Sequence, residues 1–307
     1  MEKQTETSNL NADVVRRISS EKGEPPWMLN KRLYSLSVFE SKPIPTWGPD
    51  LSGLKLEDLA YYVEPGIKPT SNMDELPEDI KRAFDALGIP EAERKFLSGN
   101  GAMYQSEVIY ERMKDQLKKQ GVIFMSTDEA VKRYPELVEK YFMTRCVPPT
   151  YHKFAALNGA IWSGGTFLYV PKGVRVSMPV QVYFLVDHPS MGQFEHTIIV
   201  AEEGASVEYI EGCSAPMYVR GGLHAGVMEI FVGKNARVRI TTIQNWSKNI
   251  YNLVTKRALV EEGGKMEWVE ASLGSKVTML YPASVLMGKG ARAEHFYVSM
   301  AGDCQVL

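Results

Sequence analysis

Three cysteines and five histidines carry whatever thiol or metal chemistry this chain can perform. Cys146, Cys213 and Cys304 stand far apart and are odd in number, so they form neither a disulfide framework nor a CxxC-type zinc site. That usage suits a reducing compartment, and a cytoplasmic location is expected. Cys213, in the segment EGCSAP, has two readings. After a strand, a lone cysteine is ordinarily a small buried hydrophobe; the other reading is a nucleophile or metal ligand, and both of those roles need the thiolate. Glu208 and Glu211 would raise its pKa, while Arg220 or His224, if the chain folds back, would oppose them. Cys304, behind Gly302 and Asp303, is a second candidate metal ligand, and Cys146 in RCVPP reads as packing. The histidines lack ligand spacing: His224 and His295 sit where structural reasons suffice, and nothing in the spacing pairs His152 with Cys146. Without a Walker-type phosphate loop, any ATP hydrolysis must come from a partner.

Two halves of different periodicity must position these residues. Residues 1–12 are polar and expected to be disordered. Residues 13–150 read as a helical domain with loops. Pro77 opens PEDIKRAFDALG, with Ile80, Phe84 and Leu87 on one face and Gly88 as the stop. Ser106 is expected to cap a helix over EVIYERMKDQLKKQ, where Ile109, Met113 and Leu117 recur every four residues. Ser126 with Glu129 fits a capping box, and SKPIPTWGPDLSG (41–53) is a loop. Lys+Arg of 35 against Asp+Glu of 37 gives a net charge of −2, with no case for nucleic acid or an acidic membrane surface. No apolar run approaches the roughly 18 residues that span a bilayer.

From residue 151 to 307 an internal repeat takes over. VAEEGASVEYIEG (200–212) and LVEEGGKMEWVEA (259–271) match almost position for position, and YVPKGVRVSM, FVGKNARVRI and LMGKGARAEHF are further copies. Their central residues, Gly173, Gly204, Asn235, Gly263 and Gly290, are 31, 31, 28 and 27 residues apart, a solenoid period. Gly and Asn are the residues suited to a left-handed backbone. Val176, Val207, Val238, Met266 and Ala293 follow three residues later, and Met178, Tyr209, Ile240, Trp268 and His295 two further on, with polar residues between. That period of two marks strands with one buried face. Stacked copies make a continuous core, with Arg175, Arg237, Lys265 and Arg292 facing solvent. The expected fold is mainly β, a parallel β-helix behind a helical N-terminal region; a jelly roll fits less well because it has no fixed period.

The motifs YYVEPG (61–66), YQSEVIYERM (104–113), GVIFMS (121–126), PKGV, EGCSAP and QNW, in this order, resemble the SufB family over nearly the whole chain from about Trp27. The resemblance implies a right-handed parallel β-helix that acts as a scaffold for iron–sulfur cluster assembly and is not itself an enzyme. It further implies Cys213 as sulfur acceptor and an iron–sulfur cluster as transient cargo, and leaves a flavin open. Cys213 and, from the chain itself and not the resemblance, Cys304 are the candidate ligands, the family's later ligand positions being expected beyond residue 307. Implied partners are a SufC-type ABC ATPase, a SufD-type paralogue or second SufB copy, and a sulfur donor protein; nucleic acid and membrane are not among them. The family's solenoid continues further, so the one here is expected to be truncated at its C-terminal end. At Leu185 and Asp187 the chain departs from an Arg and an Asn on the family's sulfur route, and His196 stands at the next basic position. Those departures favour a structural SufD-like subunit as the alternative. A β-helix carbohydrate-active enzyme is a remote third, disfavoured because the acidic residues fall on outer ladder positions instead of clustering in a groove.

Overall fold

At Gly173, Gly204, Asn235, Gly263 and Gly290 the backbone takes φ of 73°, 69°, 56°, 65° and 74°. These five left-handed turns stack: the amides of Gly173, Gly204, Asn235 and Gly263 each donate to a carbonyl of the following turn, at Glu203, Lys234, Glu262 and Lys289. The stacking leaves no room at Gly263, where an added Cβ would run into Asn235 Oδ1. Gly263→Ala combines that collision with the left-handed penalty and is expected to lower stability by about 1–2 kcal/mol in denaturant melts. An unchanged melt would mean that the turns are not stacked in this register.

The structure, a computed structural model, describes residues 5–7, 9–64, 70, 75, 78, 81–82, 99–104, 106–113, 115–185, 192–214 and 221–307. Its N-terminal part runs β1 (Thr5–Thr7), α1 (Ala12–Glu21), α2 (Pro26–Ser41), β2 (Tyr62–Glu64), β3 (Gly99–Tyr104), β4 (Glu107–Met113), α3 (Asp115–Lys119), β5 (Ile123–Ser126), α4 (Thr127–Arg133), α5 (Pro135–Tyr141) and α6 (Lys153–Ile161). The solenoid follows as three strands per turn. One turn is β6 (Thr166–Val170), β7 (Val180–Leu185) and β8 (Gly192–Gln193). The next is β9 (His196–Ala201), β10 (Ser206–Ser214) and β11 (Gly222–His224). After it come β12 (Val227–Val232), β13 (Arg237–Trp246) and β14 (Ile250–Asn252). Then come β15 (Thr255–Val260), β16 (Lys265–Gly274) and β17 (Val277–Thr278), and finally β18 (Ala283–Leu286) and β19 (Arg292–Met300). Equivalent strands pair in parallel into three sheets, ordered β19-β16-β13-β10-β7-β3-β4, β17-β14-β11-β8 and β18-β15-β12-β9-β6-β5. This is a parallel β-solenoid of about four turns behind a helical region, as the repeat requires.

The register sets the predicted column in line. Val207 pairs with Val238 and Val238 with Met266, and Val176 follows the Arg175–Ser206 bridge. Val176, Val207, Val238 and Met266 are all buried, at 7, 4, 0 and 0% exposure. Arg175, Arg237 and Arg292 are exposed and Lys265 is half-buried. The outer ladder is less solvated than alternation alone implies, because Glu267 is buried under Arg237 Nε at 2.5 Å and Lys265 Nζ at 3.4 Å.

Several expectations are corrected. The helix expected over 107–120 is split: β4 pairs antiparallel with β3, which joins β7, and only Asp115–Lys119 is helical. A strand edge offered by the solenoid outweighs a four-residue apolar spacing in a segment too short to be a stable helix alone. Residues 5–7, within the stretch expected to be disordered, pair with β2. The helix over 77–88 lies almost wholly outside the described residues. Ser126 does cap α4, its hydroxyl accepting the Glu129 amide at 3.1 Å, and residues 42–53 form the expected loop.

The helices cover the sheet that contains β9, β12 and β15. Arg32 of α2 is wholly buried; it forms a two-point pair with Glu24 and donates to the carbonyls of Ala160 and Trp162. Glu229 of β12 accepts the amides of Met143 and Val147 at 2.6 and 2.8 Å. The Arg32 contacts tie α2 to the end of α6, and the Glu229 contacts tie the segment after α5 to the solenoid wall, where β9 and β12 are buried throughout.

Candidate functional site

Alternation along β10 points Val207, Tyr209, Glu211 and Cys213 into the solenoid. The first two continue the apolar columns; the last two do not. Cys213 is stacked between Phe184 of β7 and Gln244 of β13, with Ser272 of β16 beyond. One step back along the strands lie Val182, Glu211, Thr242, Glu270 and Tyr297. From the sheet of β12 and β15, Lys256 enters at the inward position that Met228 fills one turn earlier. The third sheet contributes the column Gln193, His224, Asn252 and Thr278.

Two buried networks result. Lys256 Nζ contacts Glu270 at 3.0 Å, Glu211 at 3.5 Å and Thr242 Oγ1 at 2.7 Å, with all three charged side chains at 3% exposure or less. Burial alone would strip the proton from Lys256, but Glu270 and Glu211 outweigh it and raise its pKa, so it is an ammonium ion. In the second network His224 Nε2 donates to Glu195 Oε1 at 2.6 Å and Nδ1 to Asn252 Oδ1 at 2.8 Å. With both ring nitrogens facing acceptors the imidazolium is favoured: burial opposes the charge, and the Glu195 carboxylate with these bonds overcomes it, raising the pKa. Asn252 Nδ2 donates to Gln244 Oε1 at 2.5 Å, and the His224 ring lies 4.5 Å from that of Trp246, so this network ends beside the Cys213 column.

Cys213 is 2% exposed, and its thiol donates to Glu211 Oε1 at 3.7 Å. Burial first, then Glu211, pushes its pKa well above the ordinary thiol value, so the resting group is the thiol. Glu211 is itself raised by burial, partly offset by Lys256. Around these groups, Gln244 Nε2, Ser272 Oγ, Trp246 Nε1 and Glu195 Oε2 are buried without a partner among the described residues. A polar, charged interior in place of an apolar one is costly to maintain, which singles this region out as the candidate site.

The other sequence candidates separate. Cys304 is exposed, in a left-handed turn (φ 62°) after β19, and does not join Cys213. No group of three or more His, Cys, Asp or Glu suited to a metal ion occurs among the described residues. Cys146 is packing: its Sγ donates to the Arg257 carbonyl at 3.2 Å. His152 caps α6, its Nδ1 accepting the Ala155 amide, and its Nε2 donates to Thr255 Oγ1. His196 lies on the outer face between Asn158 and Glu229, and exposed His295 contacts Ser284. Leu185 pairs with Ser214, so alternation turns it away from the face that Phe184 shares with Cys213; Asp187 and Arg220 lie outside the described residues. The expectation that acidic residues keep to the outer ladder fails at Glu211 and Glu270. The signal was present, because carrying the alternation two steps past Tyr209 and Trp268 reaches both. Lys256 had no such signal, since its strand starts after a corner whose position only the fold sets.

Two family models match the chain: "SufBD protein N-terminal region" over residues 17–182 and "SUF system FeS cluster assembly, SufBD core domain" over residues 184–307. Among curated proteins, an iron-sulfur cluster assembly SufBD family protein of Staphylococcus aureus (strain MRSA252) is 53% identical over 297 residues, covering 97% of this chain and 64% of the relative. One from Staphylococcus saprophyticus is 54% identical over the same length and coverage. The chain thus spans 64% of the length of these relatives.

Proposed function

The chain belongs to the SufBD family of iron–sulfur cluster assembly proteins, and from that premise we propose that it is a SufB-like scaffold subunit in which Cys213 accepts sulfur. The observation that supports this is the placement of Cys213. It is the one inward-facing cysteine of the described solenoid, set against a carboxylate, an ammonium ion and unpartnered hydrogen-bonding groups, where a sulfane sulfur would be held away from solvent. The cluster is cargo, not a resident cofactor. Cluster sites commonly take four thiolates, and Cys213 and Cys304 are separate among the described residues, so ligands beyond this pair are needed and the scaffold works with partners. Those partners are a SufC-type ATPase that supplies hydrolysis, a SufD-type paralogue or second SufB copy, and a sulfur donor protein. No helix of the described residues is long and apolar enough to cross a membrane; the cytoplasm is part of the proposal and rests on three separated cysteines suited to a reducing compartment. A SufD-like subunit without sulfur chemistry is the competing assignment, favoured by the high thiol pKa of Cys213.

Cys213→Ser separates the two. Serine keeps the size and the hydrogen bond to Glu211 but not the nucleophile. In the complete complex, sulfur loading of this subunit is expected to fall to background while the melting profile stays close to wild type. Undiminished persulfide labelling of the serine variant removes Cys213 from the mechanism, and a wild-type chain that never loads sulfur supports the SufD-like role.

A further inference from the structure

We propose that Glu211 is the general base for Cys213, taking the thiol proton as the sulfur becomes a nucleophile, and that Lys256 positions its carboxylate. This rests on Cys213 being the sulfur acceptor. Among the described residues Glu211 supplies the only side-chain acceptor bonded to Cys213 Sγ, at 3.7 Å. The neighbouring groups are placed differently: His224 has both ring nitrogens engaged by Glu195 and Asn252, Glu195 and Glu270 each hold a cation through one oxygen and neither is bonded to the thiol, and an ammonium ion has no lone pair to accept a proton.

Of the two carboxylates on Lys256, Glu270 is the nearer, at 3.0 Å against 3.5 Å for Glu211, and Thr242 takes one of the lysine N–H groups at 2.7 Å. In the same inward column, uncharged Val182 and Thr242 flank Glu211 on the turns either side. A buried carboxylate is costly, and this one is aimed at a thiol that cannot ionise unaided. An independent feature shows where the incoming sulfur would lie. Gln244 Nε2 and Ser272 Oγ, in the Cys213 column itself, are at 0 and 3% exposure and have no partner among the described residues. They are donors available to the negative charge that develops on sulfur as the donor's S–S bond breaks.

The step balances without an added oxidant. Glu211 takes the S–H proton while Cys213 sulfur forms a bond to the outer sulfur of a neutral hydropersulfide, R–S–SH. The donor's S–S bond breaks and its electron pair leaves on the donor as RS⁻. The products are Cys213–S–SH, protonated Glu211 and the donor thiolate. Proton removal by a placed base typically contributes about 10²–10⁴-fold in rate.

Glu211→Gln gives effects of opposite sign for the two roles this carboxylate can have. If its charge only suppresses thiol ionisation, its removal frees the thiolate and sulfur uptake at neutral pH speeds up. If it is the base, uptake slows. The full 307-residue chain is treated with cysteine hydropersulfide, and the mass increase at Cys213 is followed with time. E211Q is expected to load at least about 10-fold more slowly than wild type, and E211D, which keeps a carboxylate one methylene further back, at an intermediate rate. Loading by E211Q as fast as wild type, or faster, overturns the proposal. Should E211Q not fold, E211D decides: a wild-type rate there overturns it equally. If wild type gains no sulfur at Cys213, the acceptor assignment falls and takes this inference with it. Loading in wild type with equal loading in E211Q removes the base alone.

Discussion

Lys256→Met is expected to destabilise the solenoid by about 3–5 kcal/mol at neutral pH, the cost of removing one partner from a buried ion cluster. Methionine nearly matches lysine in length, and Met228 already fills the equivalent inward position one turn earlier, so packing is not what is tested. The loss is electrostatic: Glu211 and Glu270, at 3 and 1% side-chain exposure, are left without their shared cation. The pH dependence has a definite sign. Glu211 already has a raised pKa through burial, and losing Lys256 removes the main influence that lowers it. A carboxyl group whose folded pKa is raised costs no stability below its unfolded value, about 4.3, and costs progressively more as pH rises above it. The Tm deficit of Lys256→Met relative to wild type is therefore expected to be large at neutral pH and to shrink on acidification. A deficit that is absent at neutral pH, or that grows in acid, would show that Lys256 does not compensate these carboxylates.

Val207→Asp is expected to be more damaging still, leaving no cooperative melt. Val207 is 4% exposed between Val176 and Val238 in a column that contains no cation. An unpaired carboxylate there costs several kcal/mol in desolvation, on top of the lost apolar contacts, a large share of a domain's stability of about 5–15 kcal/mol. Four residues along the same strand the same face accepts Glu211, because Lys256 meets it. The contrast between positions 207 and 211 isolates compensation as the property that lets this interior hold charge. A soluble, cooperatively melting Val207→Asp variant would place the valine column in solvent and refute the register.

The solenoid was legible in the sequence because its two requirements are local. A left-handed turn needs Gly or Asn whatever the surroundings, and one-sided burial imposes a period of two, so Gly204, Val207 and Tyr209 announce a turn and an inward strand without reference to any other turn. Cys213 stood out through the resemblance that EGCSAP carries; by itself it read as a small buried hydrophobe after a strand. Segment 107–113 was misread because a local apolar spacing is compatible with a helix, and only the edge offered by β7 through β3 decides for strand.

The partners of Cys213 were decided by tertiary structure alone. Lys256 lies 43 residues beyond Cys213 in the sequence, and it faces Glu211 only because β15 forms the wall opposite β10. His224 meets Glu195 for a similar reason, 29 residues away. Sequence determined the period, the turns and the inward face, and the resemblance singled out the thiol. Which charges meet inside depends on the lateral offset between three sheets, a property of how the turns close around the core, and no residue carries that information by itself.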